Sequence, residues 1–169
     1  MRDIIIGRRP ARFWPLAAVF APAILAAGFL SGRVAQSGPG NPWFDSLTMP
    51  PIYPPPVTFA IVWSALYLLM GLALALVVAT RGTRGRTAAL AAFAVQLALN
   101  LAWSPLFFAG HGIGAALALL IAIDAAVLLT VWLFWRVRRG AALLLLPYLA
   151  WVLFATVLNY EIWRLNPGA

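Results

Sequence analysis

The chain has 169 residues, 64% of them hydrophobic and 9% charged, with a mean hydropathy of +0.93. Soluble domains carry about 25% charged residues, which excludes one here and makes the chain an integral membrane protein whose first partner is the lipid bilayer. The formal charge of +8 does not point to nucleic acid, because the arginines flank apolar segments and form no groove or aromatic-interleaved patch.

A helix needs about 20 apolar residues to cross the hydrocarbon core, and five segments qualify. The first runs from about Phe13 to Leu30. A basic region precedes it, as in a signal peptide, but the stretch is long and lacks a small-x-small cleavage site followed by a soluble domain, so it reads as a mature span. The connection that follows, about 31–57, is the one long loop. Trp43, Phe44 and Leu47 argue against a solvated linker, and the run Pro50, Pro51, Ile52, Tyr53, Pro54, Pro55, Pro56 stiffens the backbone. A rigid lid over the outer mouth of the bundle is expected.

The second span, about Thr58 to Thr80, puts Phe59, Trp63, Tyr67 and Met70 on one face. The third, about Thr87 to Phe108, puts Gln96, Asn100, Trp103 and Phe107 on one face and Ala94, Ala98 and Ala102, with Ala91 beside them, on the other. The alanine side permits close helix approach, and a homodimer through it is expected because the polar side would occupy the reverse. The fourth span, about Ile113 to Trp135, carries Asp124 at mid-depth with Leu128 and Trp132 on its face. An ionisable group there is a functional candidate by default, and the alternative is a structural carboxyl, protonated or paired, facing the bundle or a partner. The fifth, about Ala141 to Trp163, aligns Tyr148, Trp151, Ala155, Asn159 and Ile162.

Runs such as Ala142 to Leu146 are apolar at every position, which rules against the alternating strands of a membrane barrel. The fold class is all-α, a single domain over 1–169 built as a five-helix bundle. Arg2, Arg8, Arg9, Arg12, Arg81, Arg84, Arg86, Arg136, Arg138 and Arg139 fall on one side of it, and Arg33 and Arg164 on the other. In a bacterial-type inner membrane the positive-inside rule then places the N-terminus in the cytoplasm and the C-terminus outside.

Faces of the second, third and fifth spans could line one aromatic-walled pocket with a few hydrogen-bonding groups, the makeup of a small-molecule site for a large, flat, mostly apolar ligand. The same residues equally suit an ordinary helix core, where Asn bridges neighbours. With no cysteine there is no disulfide or thiolate ligand. The lone His111 sits in a turn as a capping or surface residue, and Asp3, Asp45, Asp124 and Glu161 are scattered, so no metal site or carboxylate pair is recognisable. Leu158, Tyr160 and Arg164 fit a loose cholesterol pattern, but Tyr160, Trp163 and Arg164 read better as an interfacial anchor.

Four blocks in order resemble the TspO/MBR family: the loop Trp43, Asp45, Leu47, Pro50, Pro54, Pro55; the run Phe59, Trp63, Leu66, Tyr67, Met70, Gly71; the run Gln96, Leu97, Asn100, Trp103, Ser104, Pro105, Phe107, Phe108; and the run Pro147, Tyr148, Trp151, Phe154, Ala155, Leu158, Asn159, Leu165, Asn166. The resemblance covers about 41–166. It implies a five-helix bundle, commonly dimeric, that binds porphyrins such as protoporphyrin IX and haem, and in some members sterols or synthetic isoquinoline and benzodiazepine ligands. The family's pocket residues correspond here to Phe59, Trp63, Tyr67, Asn100, Trp103, Trp151, Ala155, Leu158 and Asn159.

With Phe107 and Tyr148 added from the helical faces, these are the candidate ligand-binding residues. No obligatory cofactor is expected, and porphyrin or haem is the candidate ligand. Members of the family are linked to tetrapyrrole and stress signalling, to transport and to light-dependent porphyrin breakdown. The family loop commonly carries a tryptophan pair or a Trp-x-Pro-Pro element where this chain has Pro51 and Ile52 followed by Tyr53, Pro54 and Pro55. The missing loop indoles count against a degradative enzyme more than against binding.

Overall fold

The computed structural model describes residues 12–168; Arg2, Asp3, Arg8 and Arg9 lie outside the described residues. The elements are α1 (Phe13–Val34), the short α2 (Pro42–Asp45), α3 (Pro56–Ala79), α4 (Arg86–Ser104) with a π-helical turn at Pro105–Ala109, α5 (Ile113–Val137) and α6 (Arg139–Leu165). The five long helices are apolar enough to cross a membrane. α1 runs four residues past the expected end at Leu30. Ser31 and Arg33 look like a polar break in sequence, but Ser31 finds a partner inside the bundle, and Arg33 sits in the last turn, where a cation complements the exposed carbonyls. α5 and α6 are joined by Arg138 alone, in an extended conformation.

Around the bundle α1 packs on α3, α3 on α6, α6 on α5 and α5 on α4, while α4 also meets α3 and α1. Lipid tails are as apolar as leucine, so helices in a bilayer associate through close packing and not through escape from solvent. Gly71 of α3 shows this: a Cβ there would lie 2.3 Å from the Cα of Ala21 in α1. Met70, Ala73, Ile123, Val127, Leu145, Tyr148 and Val152 fill the interior, and Phe93 and Phe134 stack 5.8 Å apart.

The end away from the loop carries Arg81, Arg84, Arg86, Arg136, Arg138 and Arg139. Arg86 donates from Nε and Nη2 to the carbonyls of Val77 (3.1 Å) and Val78 (2.8 Å) at the close of α3. The guanidinium of Arg136 lies 4.1 Å from the ring centre of the exposed Trp132, and that of Arg139 5.4 Å from Trp135, a cation–π belt suited to a membrane surface.

At the opposite end Pro105 reshapes α4. Proline has no N–H, so the Leu101 carbonyl loses its donor four residues on. Ser31 Oγ of α1 donates to it instead, at 2.6 Å. The chain then widens into the π turn, closed by Gly110 N–H to Pro105 O at 2.9 Å, and Phe107 and Phe108 turn inward and become buried.

The long loop is fastened and not slack. Asn41 Oδ1 accepts from the N–H groups of Trp43 and Phe44, opening α2, and its Nδ2 donates to the carbonyls of Gln36 and Phe108. Phe44 and Leu47 are buried among Phe107, Phe108, Ile113, Leu158 and Ile162. Beyond α6, Asn166 accepts from Thr48 N–H at 2.8 Å and donates to Thr48 O at 3.0 Å. Asn166→Ala removes both bonds, and hydrogen exchange at the Thr48 amide is expected to quicken by about fivefold, since a net hydrogen bond is worth about 1 kcal/mol; unchanged exchange would show that the Phe44 and Leu47 packing alone holds the loop.

Candidate functional site

A cavity of 630 Å³ opens at the loop end, within the range of about 300–1,000 Å³ typical of small-molecule sites. α3 contributes Phe59, Trp63 and Tyr67; α4 and its π turn contribute Asn100, Trp103 and Phe107; α6 contributes Trp151, Ala155, Leu158 and Asn159. The sequence faces of three spans therefore meet around one hollow.

Tyr148, also expected in that wall, is not there. It is fully buried beneath Trp63, with ring centres 6.3 Å apart and edge-on. Gln96 and Met70 likewise share the helical faces but lie in the packed interior. The physical reason is common to all three: periodicity fixes the direction in which a residue points, and all three lie a turn or so deeper than the cavity floor.

Polar groups are sparse and specific. Tyr67 donates its hydroxyl to Asn100 Oδ1 at 3.0 Å. Asn159 donates from Nδ2 to the Ile113 carbonyl at 3.0 Å, so half of this amide ties α6 to the first turn of α5. Its Oδ1 has no partner among the described residues, nor do the indole N–H groups of Trp103 and Trp151. Buried polar atoms normally have a partner, so two donors and one acceptor on cavity-lining residues are left unsatisfied within the described fold. Tyr53 from the loop closes the top, its ring 5.3 Å from Phe59. Burial pushes its hydroxyl up from the usual tyrosine range.

Two walls were not anticipated from the sequence. α1 supplies Gly28 and Gly32, and α5 supplies Leu120 and Ile123. The spacing of four between the glycines was the available signal. Tyr67 lies directly over Gly28, where a Cβ would meet Tyr67 Cε2 at 2.1 Å. Because the obstacle is the far end of a side chain, Gly28→Ala is expected to swing the ring into the cavity and break the Tyr67–Asn100 bond. Affinity for a ligand in the cavity should fall about tenfold, equivalent to about 1.4 kcal/mol, with the thermal midpoint little changed; a ligand titration beside a melting curve checks both.

Asp124 lies outside the cavity wall. It is buried against α6, where Thr156 Oγ1 donates to its Oδ2 at 2.7 Å, while Leu128 and Trp132, expected on its face, are half exposed. No cation pairs with it among the described residues, and its place is in α5–α6 packing. His111 is exposed, at φ +51, and stacks on Trp43 with ring centres 4.5 Å apart. Leu158 points inward while Tyr160 is exposed, so the residues of the cholesterol pattern share no surface. Arg164 pairs with Glu161 at 2.6 Å, and Tyr160 and Trp163 face outward beside it.

A profile described as the TspO/MBR family matches residues 18–164, which span the five helices and the cavity. The chain belongs to the TspO/MBR family. Among its relatives it is 37% identical over 151 residues to the protein CrtK of Rhodobacter capsulatus, covering 89% of this chain and 94% of that one. It is 39% identical over 157 residues to the translocator protein of Sus scrofa, covering 92% of each. To the tryptophan-rich sensory protein of Cereibacter sphaeroides it is 38% identical over 149 residues, 88% of this chain and 92% of that one.

Proposed function

We propose that this TspO/MBR member is a membrane receptor or sensor that takes a tetrapyrrole, such as porphyrin or haem, or a similar planar apolar ligand into the cavity beneath the loop. The observation that carries this is the 630 Å³ hollow itself, walled by the rings of Trp63, Trp103 and Trp151 with the amides of Asn100 and Asn159 among its polar groups. A flat apolar guest fills the space between Trp63, Trp103 and Trp151, and polar atoms on its edge meet those groups. Relatives named for sensing and for translocation agree with a ligand-responsive role. Carriage through the bundle is less well supported, because Met70, Phe93, Phe134 and Tyr148 pack the interior between the cavity and the arginine-rich end. The loop offers Ile52 and Tyr53 in place of indoles, which favours binding over photochemical breakdown.

Titration of the purified protein with protoporphyrin IX tests this: saturable quenching of tryptophan fluorescence in the micromolar range is expected, and an unchanged signal would overturn it. Cholesterol, added as competitor, shows whether a sterol occupies the same space.

The assembly we propose is a homodimer through α4. Ala91, Ala94, Ala98 and Ala102 form an exposed stripe on the side away from the cavity, and small residues let two backbones approach closely. Ala98→Phe is expected to convert the dimer to monomer in size-exclusion chromatography with light scattering; an unchanged mass would place the interface elsewhere. The orientation we propose has the arginine-rich end in the cytoplasm.

A further inference from the structure

We infer that Arg33 is the residue that selects for an acidic group on the ligand, so that the cavity prefers planar apolar molecules carrying a carboxylate at one edge. This rests on the binding proposed above and adds to it a chemical class and a direction of entry.

The cavity is not sealed on all sides. On the flank between α1 and α3 its wall consists of residues that are themselves exposed, Phe29, Arg33, Pro56 and Ala60, so it opens laterally there. Farther along, α1 and α3 close tightly at Gly71 and Ala21. Arg33, in the last turn of α1, stands at the outer edge of this opening and is the sole charged side chain lining the cavity among the described residues.

Beyond its place at the carbonyl end of α1, its guanidinium has no carboxylate partner among the described residues. The loop's carboxylate, Asp45, accepts the Gly40 N–H at 2.9 Å, Glu161 is held by Arg164, and Asp124 is held by Thr156 inside the bundle. No ion pair engages Arg33 among the described residues. A guanidinium offers paired donors in a fixed plane that match a carboxylate. At the rim of an apolar hollow it rewards a guest whose rings are inside and whose acid remains at the edge, the orientation that lateral entry from the bilayer surface would deliver.

Protoporphyrin IX and its dimethyl ester differ in that charge and share the ring system. In neutral detergent the wild-type protein is expected to bind the free acid more tightly than the ester by about tenfold, the value of a charge-assisted hydrogen bond. Arg33→Gln should lose that preference by weakening the acid alone, and Arg33→Lys should keep part of it. Arg164→Gln, which removes a charge outside the cavity, should leave the preference intact. A free-acid preference that persists in Arg33→Gln would overturn the assignment while leaving the cavity reading in place. Absence of binding by either compound to the wild type would overturn both. Loss of the preference in Arg164→Gln as well would reduce it to the general field of the outer surface and overturn the specific role.

Discussion

Gly71→Ala is expected to lower the stability of the bundle by about 1–3 kcal/mol, the usual cost of forcing an extra methyl into a packed core. The added carbon would lie 2.3 Å from Ala21 Cα and 2.6 Å from Ala21 N, both backbone atoms, so no side-chain rotation relieves it. α1 and α3 must separate at this backbone contact, and the flank of the cavity widens with them. The contrast with Gly28→Ala is instructive: there the obstacle is a ring that can swing aside, and the damage goes to binding. Gly140, whose added Cβ would meet nothing within 4 Å, supplies the control. Thermal unfolding in detergent, followed by circular dichroism, should show a clear drop for Gly71→Ala and none for Gly140→Ala; equal midpoints would mean that α1 is not seated on α3 as described.

The second large effect is on ligand affinity. Trp151 stands edge-on to Phe59 at 5.8 Å and 5.3 Å from Phe154, and its indole N–H is unpartnered. Trp151→Ala removes a wall and a donor together and should weaken the proposed porphyrin binding by about 10- to 100-fold, from loss of aromatic contact and of one hydrogen bond. Trp151→Phe keeps much of the wall and loses the donor, so a smaller loss, about fivefold, is expected. Trp132→Phe, at the arginine-rich end, should change nothing. Titrations monitored by porphyrin absorbance, which do not depend on the substituted indole, separate the three. Retained affinity in Trp151→Ala would remove this residue from the site.

The five spans were legible because uninterrupted apolar length is a property of the chain itself. The three helical faces were legible because helical pitch is fixed, which brought Trp63, Asn100, Trp103, Trp151 and Asn159 together on paper. Depth was not: Gln96 and Tyr148 point the expected way and lie a layer below, because where a cavity ends depends on how neighbouring helices are offset. The walls from α1 and α5 are not legible, since Leu120 and Ile123 are what any membrane helix contains and only the spacing of four between Gly28 and Gly32 marks α1. Trp43 and Phe44 did announce that the loop packs. That Asn166 holds Thr48 across a separation of 118 residues is tertiary information, as is the π turn, whose missing donor is supplied by a side chain 70 residues away.

Ser31 and Pro105 form one functional pair divided between two spans. The proline leaves a carbonyl vacancy and the serine hydroxyl occupies it, which sets the sliding register of α1 against α4. The same end of α1 carries Gly28 beneath Tyr67 and Arg33 at the rim. Restoring an ordinary peptide N–H by Pro105→Ala would therefore do more than straighten a helix: the Leu101 carbonyl would regain its own donor, and the tie between α1 and α4 would loosen while Gly71 and Ala21 still hold α1 on α3.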